Sequence, residues 1–315
     1  MHSGLPFKVR RGGQERDVPD FDSEFLKKFD AVRGLGQGAY GCVFEVRSVL
    51  DECRYAVKRI PLQGGVAALD TALKEVRALA SLKHGGIVAY SSSWLEEPPV
   101  GWQKKADEKL ENRLPNFKQY NYAEDTVFLY IQMELCDLSL RKWLETNNER
   151  PLLRAKEWFK QLVTAVGYLH KRHKIHRDLK PENILFDLAG KLKICDLGLV
   201  AEHVLINGEE VETTRTCCGT RIYMPLEQIR TAPMRSRPKY SSKVDIYAIG
   251  CILTELCVYM NWKQMETVFL NYQQGRRNTI LAELPEVDEF VLWLTNVESS
   301  NRPTCDEILA STFLL

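Results

Sequence analysis

The stretch that decides the fold of this 315-residue chain is Ile175–Asn183, which reads Ile-His-Arg-Asp-Leu-Lys-Pro-Glu-Asn. It places a carboxylate at Asp178, a cation at Lys180 and an amide at Asn183 close together in the sequence. Asp178 could accept the proton of an attacking hydroxyl, Lys180 could neutralise a phosphoryl oxygen, and Asn183 could bind a magnesium ion. A charged turn after a helix is the alternative for each residue alone, but packing does not require all three in this order. The stretch therefore predicts phosphoryl transfer.

The composition narrows the class of protein. Lys and Arg number 43 and Asp and Glu number 42, so the formal net charge of +1 gives no reason to expect nucleic-acid binding. Nine cysteines at irregular spacings, without a secretory signal, indicate reduced thiols in the cytosol, and the pair Cys217 and Cys218 lacks the second half of a zinc site. The longest apolar candidate, Ile246–Leu256, suits a buried helix, so no membrane span is expected in this chain.

The hydrophobic pattern changes along the chain from that of strands to that of helices. Residues 1–24 are polar and are expected to be disordered. Residues 25–135 open with alternating β-rich runs, interrupted at about 96–125 by a charged segment with three prolines and no clear period, which predicts an inserted loop. Residues 136–315 follow a helical pattern. The sequence therefore predicts an α+β fold with a small β-rich lobe and a larger helical lobe.

Three glycines, Gly36, Gly38 and Gly41, lie between the first two predicted strands and are followed by Val43. Dinucleotide-binding folds carry a similar triplet, but there it joins a strand to a helix. Here a second strand follows. The pattern favours a hairpin whose backbone amides approach a triphosphate, because glycine has no side chain to keep the phosphates away.

Two charged residues follow the glycines at suitable positions. Lys58 falls on the third predicted strand and Glu75 on the helix after it. A lysine that holds nucleotide phosphates needs a carboxylate to position it, and this pair provides one. Charges that simply face solvent are the alternative for each residue alone.

A possible metal ligand follows another short strand. Asp196 begins the triplet Asp196-Leu197-Gly198, and its carboxylate would chelate magnesium while Asn183 holds a second ion. Arg177 would bind a phosphorylated segment between Leu199 and Met224. That segment contains four threonines, of which Thr214 and Thr216 are the candidates for autophosphorylation, the others being Thr213 and Thr220.

In this order and spacing, the motifs from Gly36 to Arg302 resemble a eukaryotic protein kinase domain, and Lys180-Pro181-Glu182 resembles the serine/threonine type. The resemblance implies a bilobal kinase fold with ATP and Mg²⁺ as cofactors. Leu197 stands where kinases usually have Phe, so altered switching is expected without loss of the chemistry.

The resemblance also assigns structural partners in the larger lobe. Met224-Pro225-Leu226-Glu227 replaces the usual Ala-Pro-Glu, which puts the local turn in doubt. Glu227 is still expected to pair with Arg302, and Asp245 is expected to anchor the catalytic loop from a central helix.

By the same resemblance, six further residues would surround the adenine ring. They are the gatekeeper Met133, the hinge residues Glu134 and Cys136, and the residues Val43, Ala56 and Leu185, which would enclose the ring.

A narrower resemblance rests on Trp94–Gln103, Leu129–Cys136 and Gln264–Glu266. These stretches are similar to kinases of the alpha subunit of eukaryotic translation initiation factor 2, and the first is most like the endoplasmic-reticulum-resident member. The resemblance implies that the substrate is a serine of that subunit and that translation is down-regulated under stress. The helix carrying Met265, Glu266 and Thr267 would dock the folded substrate.

Members of this family are activated by back-to-back pairing of their small lobes through an Arg and an Asp four residues apart. The matching positions here are Glu24 and Lys28, whose charges are reversed, so a homodimer remains self-complementary. An ordinary i, i+4 helical pair is the alternative. The expected location is cytoplasmic, or the cytosolic face of the endoplasmic reticulum if the chain is a fragment of a membrane-anchored kinase.

Two other functions remain open at this point. A serine/threonine kinase of another group would share the catalytic residues but act on other protein substrates. A pseudokinase scaffold would bind without turnover, although the complete set of Lys58, Glu75, Asp178, Asn183 and Asp196 argues against it.

Overall fold

The computed structural model describes residues 7–11, 14–18, 20–38, 41–62, 66–119, 122–123, 125–197, 201–206, 209–212, 221–229 and 241–314. The chain divides into two compact units. The small unit comprises Met1–Ser81 and Ala89–Leu135, and the large unit comprises Leu82–Val88 and Cys136–Leu315. Leu82–Val88 belongs to the large unit because Ile87 and Val88 pair with Ile194 there.

The small unit is built on an antiparallel sheet. Its elements are β1 (Phe7–Arg11), β2 (Gln14–Val18), α1 (Glu24–Lys28), β3 (Phe29–Gly38), β4 (Gly41–Ser48), β5 (Arg54–Leu62), α2 (Val66–Ser81), β6 (Tyr90–Glu96), α3 (Trp102–Arg113) and β7 (Val127–Glu134). Five strands form the main sheet in the order β3-β4-β5-β7-β6. The alternating apolar residues of β4 and β5 favour strands that bury one face, and the predicted β-rich lobe has this form.

The two faces of this sheet differ in composition. Residues directly opposite each other on neighbouring strands share a face, as do residues two apart on one strand. Phe44 lies opposite Val57, and Arg59 lies opposite Tyr130, so these four residues line one face. This face carries the main apolar core of the unit, which also includes Phe25 of α1.

Helix α3 corrects the expectation that residues 96–125 form an irregular inserted loop. Trp102, Gln103, Asp107 and Leu110 are buried, and Asp107 and Leu110 follow Gln103 by four and seven residues, so they lie along one side of α3. Two of these buried residues, Gln103 and Asp107, are polar. They interrupt the apolar periodicity of the sequence, although the buried side of α3 is continuous. The physical reason for their burial is an ion pair, since Asp107 accepts two hydrogen bonds from Arg59 on the sheet.

Two short strands occur in the described part of residues 7–18. Strands β1 and β2 form an antiparallel hairpin in which Phe7 pairs with Val18 and Arg11 pairs with Gln14. Alternating residues from Phe7 to Arg10, followed by two glycines and a second polar run, match a hairpin pattern. After it, Ser23 caps α1 by accepting a hydrogen bond from the N–H of Leu26.

The large unit is mainly helical. Its elements are α4 (Leu140–Thr146), α5 (Leu152–His170), β8 (Lys174–Ile175), β9 (Ile184–Phe186), β10 (Leu192–Ile194), β11 (Ala201–Ile206), β12 (Glu209–Glu212), α6 (Leu226–Ile229), α7 (Lys243–Cys257), α8 (Trp262–Gln273), α9 (Pro285–Leu294) and α10 (Cys305–Leu309). Short 3₁₀ turns occur at Pro181–Asn183, Arg221–Tyr223, Thr279–Leu281, Ser299–Asn301 and Thr312–Leu314.

Helix α7 is the centre of the large unit. Every residue from Val244 to Cys257 is buried, and the helix packs against α5 and α9. The buried helix predicted around Ile246–Leu256 is therefore confirmed. None of the helices in the described ranges combines the length and the apolar character that a membrane crossing requires.

Candidate active site

The segment between β8 and β9 is fixed by one buried carboxylate of α7. The two oxygens of Asp245 accept hydrogen bonds from the backbone N–H groups of His176 and Arg177, each at 2.9 Å. Hydrogen bonds to a charged group are stronger than neutral ones, so this residue sets the position of the loop. The predicted anchoring role of Asp245 is confirmed.

His170, the last residue of α5, completes this anchor. Its Nε2 lies 2.9 Å from Oδ2 of Asp245, and its Nδ1 lies 3.7 Å from Sγ of Cys305. Burial lowers the pKa of His170, but the hydrogen bonds and charges of Asp245 and Cys305 together outweigh burial and raise this pKa to about 10. His170 is not among the site residues predicted from the sequence. The available signal was its position six residues before His176 at the end of an amphipathic helix.

This pair predicts a pH-dependent stability. An unfolded histidine titrates near pH 6.5, whereas folded His170 titrates near pH 10. Between these values the folded chain holds the extra proton, so the free energy of unfolding should fall with rising pH by at most about 1.4 kcal/mol per pH unit. The contribution is complete below pH 6.5 and absent above pH 10. Denaturant unfolding of the wild type and His170→Gln across this range measures it, and parallel curves would contradict the pairing.

Arg177 adopts an unusual backbone conformation beside this anchor. Its φ of 69° is left-handed, which is uncommon for a residue with a long side chain. Its N–H donates to Asp245, and its carbonyl accepts a hydrogen bond of 2.9 Å from Nε2 of Gln228. Hydrogen bonds on both sides therefore hold the conformation. Gln228, which sequence patterns did not single out, acts here as a positioning residue.

The three residues of the opening motif meet in the structure. Nζ of Lys180 lies 2.8 Å from Oδ2 of Asp178, and Nδ2 of Asn183 donates to the carbonyl and to Oδ2 of Asp178 at 2.9 and 3.1 Å. Asp178 and Asn183 are buried, and Lys180 is partly buried. The 3₁₀ turn Pro181–Asn183 brings the amide back toward the carboxylate. The arrangement can orient a hydroxyl at Asp178 beside a fixed positive charge.

Asn183 and Asp196 provide oxygen atoms of the kind that magnesium prefers. Since Nδ2 of Asn183 is directed at Asp178, its Oδ1 is the amide atom suited to a cation. The carbonyl of Asn183 accepts a hydrogen bond of 2.9 Å from the N–H of Cys195, the residue before Asp196. The donor chemistry therefore fits magnesium. Leu197 is buried, so the middle of the triplet packs as an apolar residue, and Gly198 lies outside the described residues.

Five of the predicted nucleotide-binding residues share one face of the small unit's sheet. Gly36 pairs with Val43, Val43 with Lys58, and Ala56 with Met133, while Ala56 and Lys58 are two residues apart. This is the face opposite the one that carries the apolar core. The predicted partner of Lys58, Glu75, lies on α2, but its side chain lies outside the described part of the chain.

Glycine occurs at the positions of the hairpin for different physical reasons. Gly41 has a φ of 112°, and a Cβ there would lie 2.0 Å from the carbonyl oxygen of Arg59, so packing itself requires glycine. A Cβ built on Gly36 meets no described atom within 4 Å. Space at Gly36 is therefore available to a ligand. Gly38 pairs with Gly41 at the end of the hairpin.

The remaining predicted adenine contacts lie at the end of β7 and in the large unit. Glu134 ends β7, and its N–H donates to the carbonyl of Ala89 at 3.0 Å. Cys136 is buried in the large unit, where the following residue, Asp137, donates from its N–H to the carbonyl of Phe186. Leu185, on β9, is half-buried beside this contact.

The predicted ion pair between Glu227 and Arg302 is confirmed. Two nitrogens of Arg302 donate to the two carboxylate oxygens of Glu227 at 2.5 and 3.2 Å, and Arg302 is buried. The turn that the unusual Pro225-Leu226 pair put in doubt does form, and α6 begins at Leu226, directly after Pro225. The predicted phosphorylation sites Thr213, Thr214, Thr216 and Thr220 and the cysteines at 217 and 218 lie outside the described residues.

Comparison with known proteins gives the family of this chain. A model of the protein kinase domain family matches residues 29–314. The chain is 24% identical over 487 aligned residues to the eukaryotic translation initiation factor 2-alpha kinase pek-1 of Caenorhabditis elegans, covering 93% of this chain and 45% of the relative. It is 36% identical over 300 residues to the interferon-induced, double-stranded RNA-activated protein kinase of Rattus norvegicus, covering 93% and 53%.

A third relative is the eIF-2-alpha kinase GCN2 of Arabidopsis thaliana, which is 29% identical over 323 residues that cover 92% of this chain and 25% of the relative. The chain thus spans about half the length of these relatives or less. ATP and Mg²⁺ are the standard cofactors of the family whose domain it contains. The chain belongs to the protein kinase family and, by homology, is a serine/threonine protein kinase similar to named kinases of initiation factor 2-alpha.

Proposed function

We propose that the chain transfers the γ-phosphoryl group of ATP to a serine of the alpha subunit of translation initiation factor 2, and so lowers translation under stress. The cluster of Asp178, Lys180 and Asn183 supports the transfer. The similarity to relatives named as kinases of this factor supports the substrate.

The reacting groups act mainly by position and charge. Bound ATP supplies the phosphoryl group, and magnesium neutralises its charge. Asp178 accepts the proton of the substrate serine, while Lys180, 2.8 Å away, orients this carboxylate and stabilises negative charge. Asn183 and Asp196 hold the metal ions.

The residues that hold the nucleotide are those predicted from the sequence. Lys58 positions the phosphates and is itself positioned by Glu75. The remaining contacts are made by the glycine hairpin of Gly36, Gly38 and Gly41 and by the adenine set of Val43, Ala56, Met133, Glu134, Cys136 and Leu185.

Helix α8 provides the surface on which the folded substrate docks. Met265 is buried and its Sδ accepts a hydrogen bond of 3.8 Å from the hydroxyl of Tyr223, so Met265 fixes the helix and does not itself touch a partner. Glu266 and Thr267 are exposed on α8. Trp262 has 62% of its surface exposed and Leu270 50%, which gives the same helix apolar contact area. Docking at a remote surface would position the serine with little dependence on its flanking residues.

Labelled ATP and the intact alpha subunit test this function. We expect transfer to one serine of the subunit, much poorer transfer to a short peptide with the same serine, and a rise in KM of at least about tenfold for Trp262→Ala with little change in kcat. Efficient peptide phosphorylation with poor use of the subunit would indicate a kinase of another group. The wild type must first be phosphorylated in its activation segment. If it then transfers no more phosphate than Asp178→Asn, the chain is a scaffold.

We further propose that the chain forms a back-to-back homodimer through α1 and is activated by phosphorylation of its own activation segment. Within one chain, Lys28 forms an ion pair with Glu24, and Nζ of Lys28 lies 5.2 Å from the ring centre of Trp94. Both charged side chains are nearly half exposed. In a twofold dimer each lysine would meet the glutamate of the other copy. The proposed location is cytoplasmic, or the cytosolic face of the endoplasmic reticulum.

Charge reversal tests this dimer. Lys28→Glu should weaken dimerisation at least about tenfold, because like charges would face each other across the twofold axis, and adding Glu24→Lys should restore it. Phosphorylation of the activation segment should likewise fall in Lys28→Glu and recover when Glu24→Lys is added. Lys27→Glu makes the same charge change on the neighbouring residue and should have little effect. Sedimentation of Lys28→Glu identical to that of wild type would rule out the contact.

A further inference from the structure

The segment that follows α3 lies against β3, the strand that leads into the glycine hairpin. The N–H of Gly34 donates to the carbonyl of Pro115 at 3.0 Å. Nε2 of Gln37 donates to the carbonyl of Lys118 at 3.0 Å, and Oε1 of Gln37 accepts a longer hydrogen bond of 3.4 Å from the N–H of Lys118. Residues 115–118, here called the strap, are therefore bonded to β3 at both ends.

The middle of the strap approaches the backbone of β3 very closely. A Cβ built on Gly34 would lie 2.5 Å from the carbonyl oxygen of Asn116, so a larger residue at position 34 would push the strap away. Asn116 itself has a left-handed φ of 59°, a conformation that asparagine adopts more readily than most residues. Both residues therefore suit this contact by their backbone chemistry.

The strap is fixed to the core of the small unit. Phe117 is 5% exposed, and its ring centre lies 5.1 Å from that of Phe44 on β4. Leu114, which directly precedes the strap and ends α3, is also buried in this core. Helix α3 is held on the sheet by the ion pair of Asp107 with Arg59. The strap can therefore hold β3 against a rigid support.

The strap contacts β3 on the core face of the sheet. Gly34 pairs with Phe44 and Gln37 pairs with Cys42, and both partners belong to the apolar core. A register shift directly after Gly34 places these two positions of β3 on one face although they are three residues apart. Val43, between the two partners, lies on the opposite face, which is predicted to bind the nucleotide. The strap therefore supports the hairpin from behind.

This support matters because the hairpin is rich in glycine. Glycine loses more backbone freedom on ordering than any other residue, and a ligand that orders a glycine-rich loop must offset that loss. Contacts that order the loop beforehand raise the affinity for the ligand. Gly34 and Gln37 flank Gly36, whose backbone is predicted to approach the phosphates. Their bonds to the strap therefore act on the part of the hairpin that would bind ATP.

We propose that the strap pre-orders the glycine hairpin for the phosphates of ATP and that Gln37 is the positioning residue of this contact. The inference rests on the proposed binding of ATP by the hairpin. Gln37 acts through the backbone and does not itself touch the nucleotide, because it lies on the core face. The segment inserted between β6 and β7 thereby becomes a support of the nucleotide site.

Gln37→Ala tests the proposal in the full chain. Calorimetry measures the affinities for adenylyl imidodiphosphate with Mg²⁺ and for adenosine, and hydrogen exchange of the Gly36 and Gly38 amides is followed without ligand. We expect about three- to tenfold weaker binding of the triphosphate analogue and faster exchange, because the hairpin loses its bonds to the strap. Adenosine affinity should stay within about twofold, since adenosine has no phosphates, whereas general damage to the fold would weaken both ligands.

Three further variants separate the strap from other causes. Gly34→Ala places a Cβ against Asn116 and should reproduce the effects of Gln37→Ala. Lys118→Ala keeps the backbone groups that bond Gln37 and should leave both affinities within about twofold. Gly85→Ala adds a Cβ in the large unit where no described atom lies within 4 Å, so it should also have no effect.

The outcomes distinguish this inference from the proposed function. If the wild type binds the triphosphate analogue and Gln37→Ala binds it within about twofold as tightly, the strap is overturned and the function stands. An equal loss of adenosine affinity, or the same loss in Lys118→Ala, would also overturn the strap alone. Failure of the wild type to bind the analogue would overturn the proposed function, and the inference with it.

Discussion

Replacing Asp178 with Asn is expected to lower kcat for phosphoryl transfer by about 100- to 10,000-fold, because an amide cannot accept the proton of the substrate hydroxyl. The loop should keep its position. Its backbone is held by Asp245, and Nδ2 of Asn183 also donates to the carbonyl of residue 178, which the substitution retains. The change should therefore affect kcat and leave the affinity for ATP nearly unaltered.

Steady-state kinetics with the alpha subunit, ATP binding by calorimetry and thermal unfolding measure these quantities. Asp187→Asn is the matched control, because Asp187 also lies in the large unit and accepts backbone hydrogen bonds from Ala189 and Lys191, which an amide oxygen can still accept. A kcat for Asp178→Asn within tenfold of wild type would contradict the role assigned to Asp178.

Replacing Asp107 with Ala is expected to lower the free energy of unfolding of the small unit by about 3–5 kcal/mol. Arg59 and Asp107 are 1% and 0% exposed, and their two hydrogen bonds measure 2.8 and 2.7 Å. Removing the carboxylate leaves a buried guanidinium without its counter-charge. Four aromatic rings lie within 6.0 Å of that guanidinium, and they belong to Phe44, Phe117, Tyr122 and Phe128.

Denaturant unfolding tests this expectation. Combining Asp107→Leu with Arg59→Met should recover most of the loss, because an apolar pair leaves no buried charge unpaired. Asp306→Ala breaks the exposed ion pair with Lys171 and should cost at most about 1 kcal/mol. A loss for Asp107→Ala no larger than that for Asp306→Ala would show that α3 does not depend on the buried pair.

The clustering of the proposed reacting residues was predictable because they are close in sequence. Asp178, Lys180 and Asn183 lie close together in the sequence, and the 3₁₀ turn Pro181–Asn183 brings the amide to the carboxylate. The shared face of Val43, Ala56 and Lys58 was likewise accessible from strand periodicity.

The residues that anchor the loop were harder to predict from the sequence. His170 and Asp245 are 75 residues apart, and Gln228 reaches Arg177 across 51 residues. Neither His170 nor Gln228 belongs to a motif, and each acquires its role only through the residue it meets. Glu227 and Arg302, equally far apart, were predicted because a family resemblance names both partners.

The sequence by itself determined the kinase family, the two-lobed α+β class and the proposed reacting residues of this protein, because motif order and short-range periodicity carry that information. Tertiary structure alone decided that α3 packs on the sheet and that Arg59 and Asp107 pair inside the core. The physical reason is that burial of a polar residue depends on a partner, here 48 positions away, and local patterns do not record that partner.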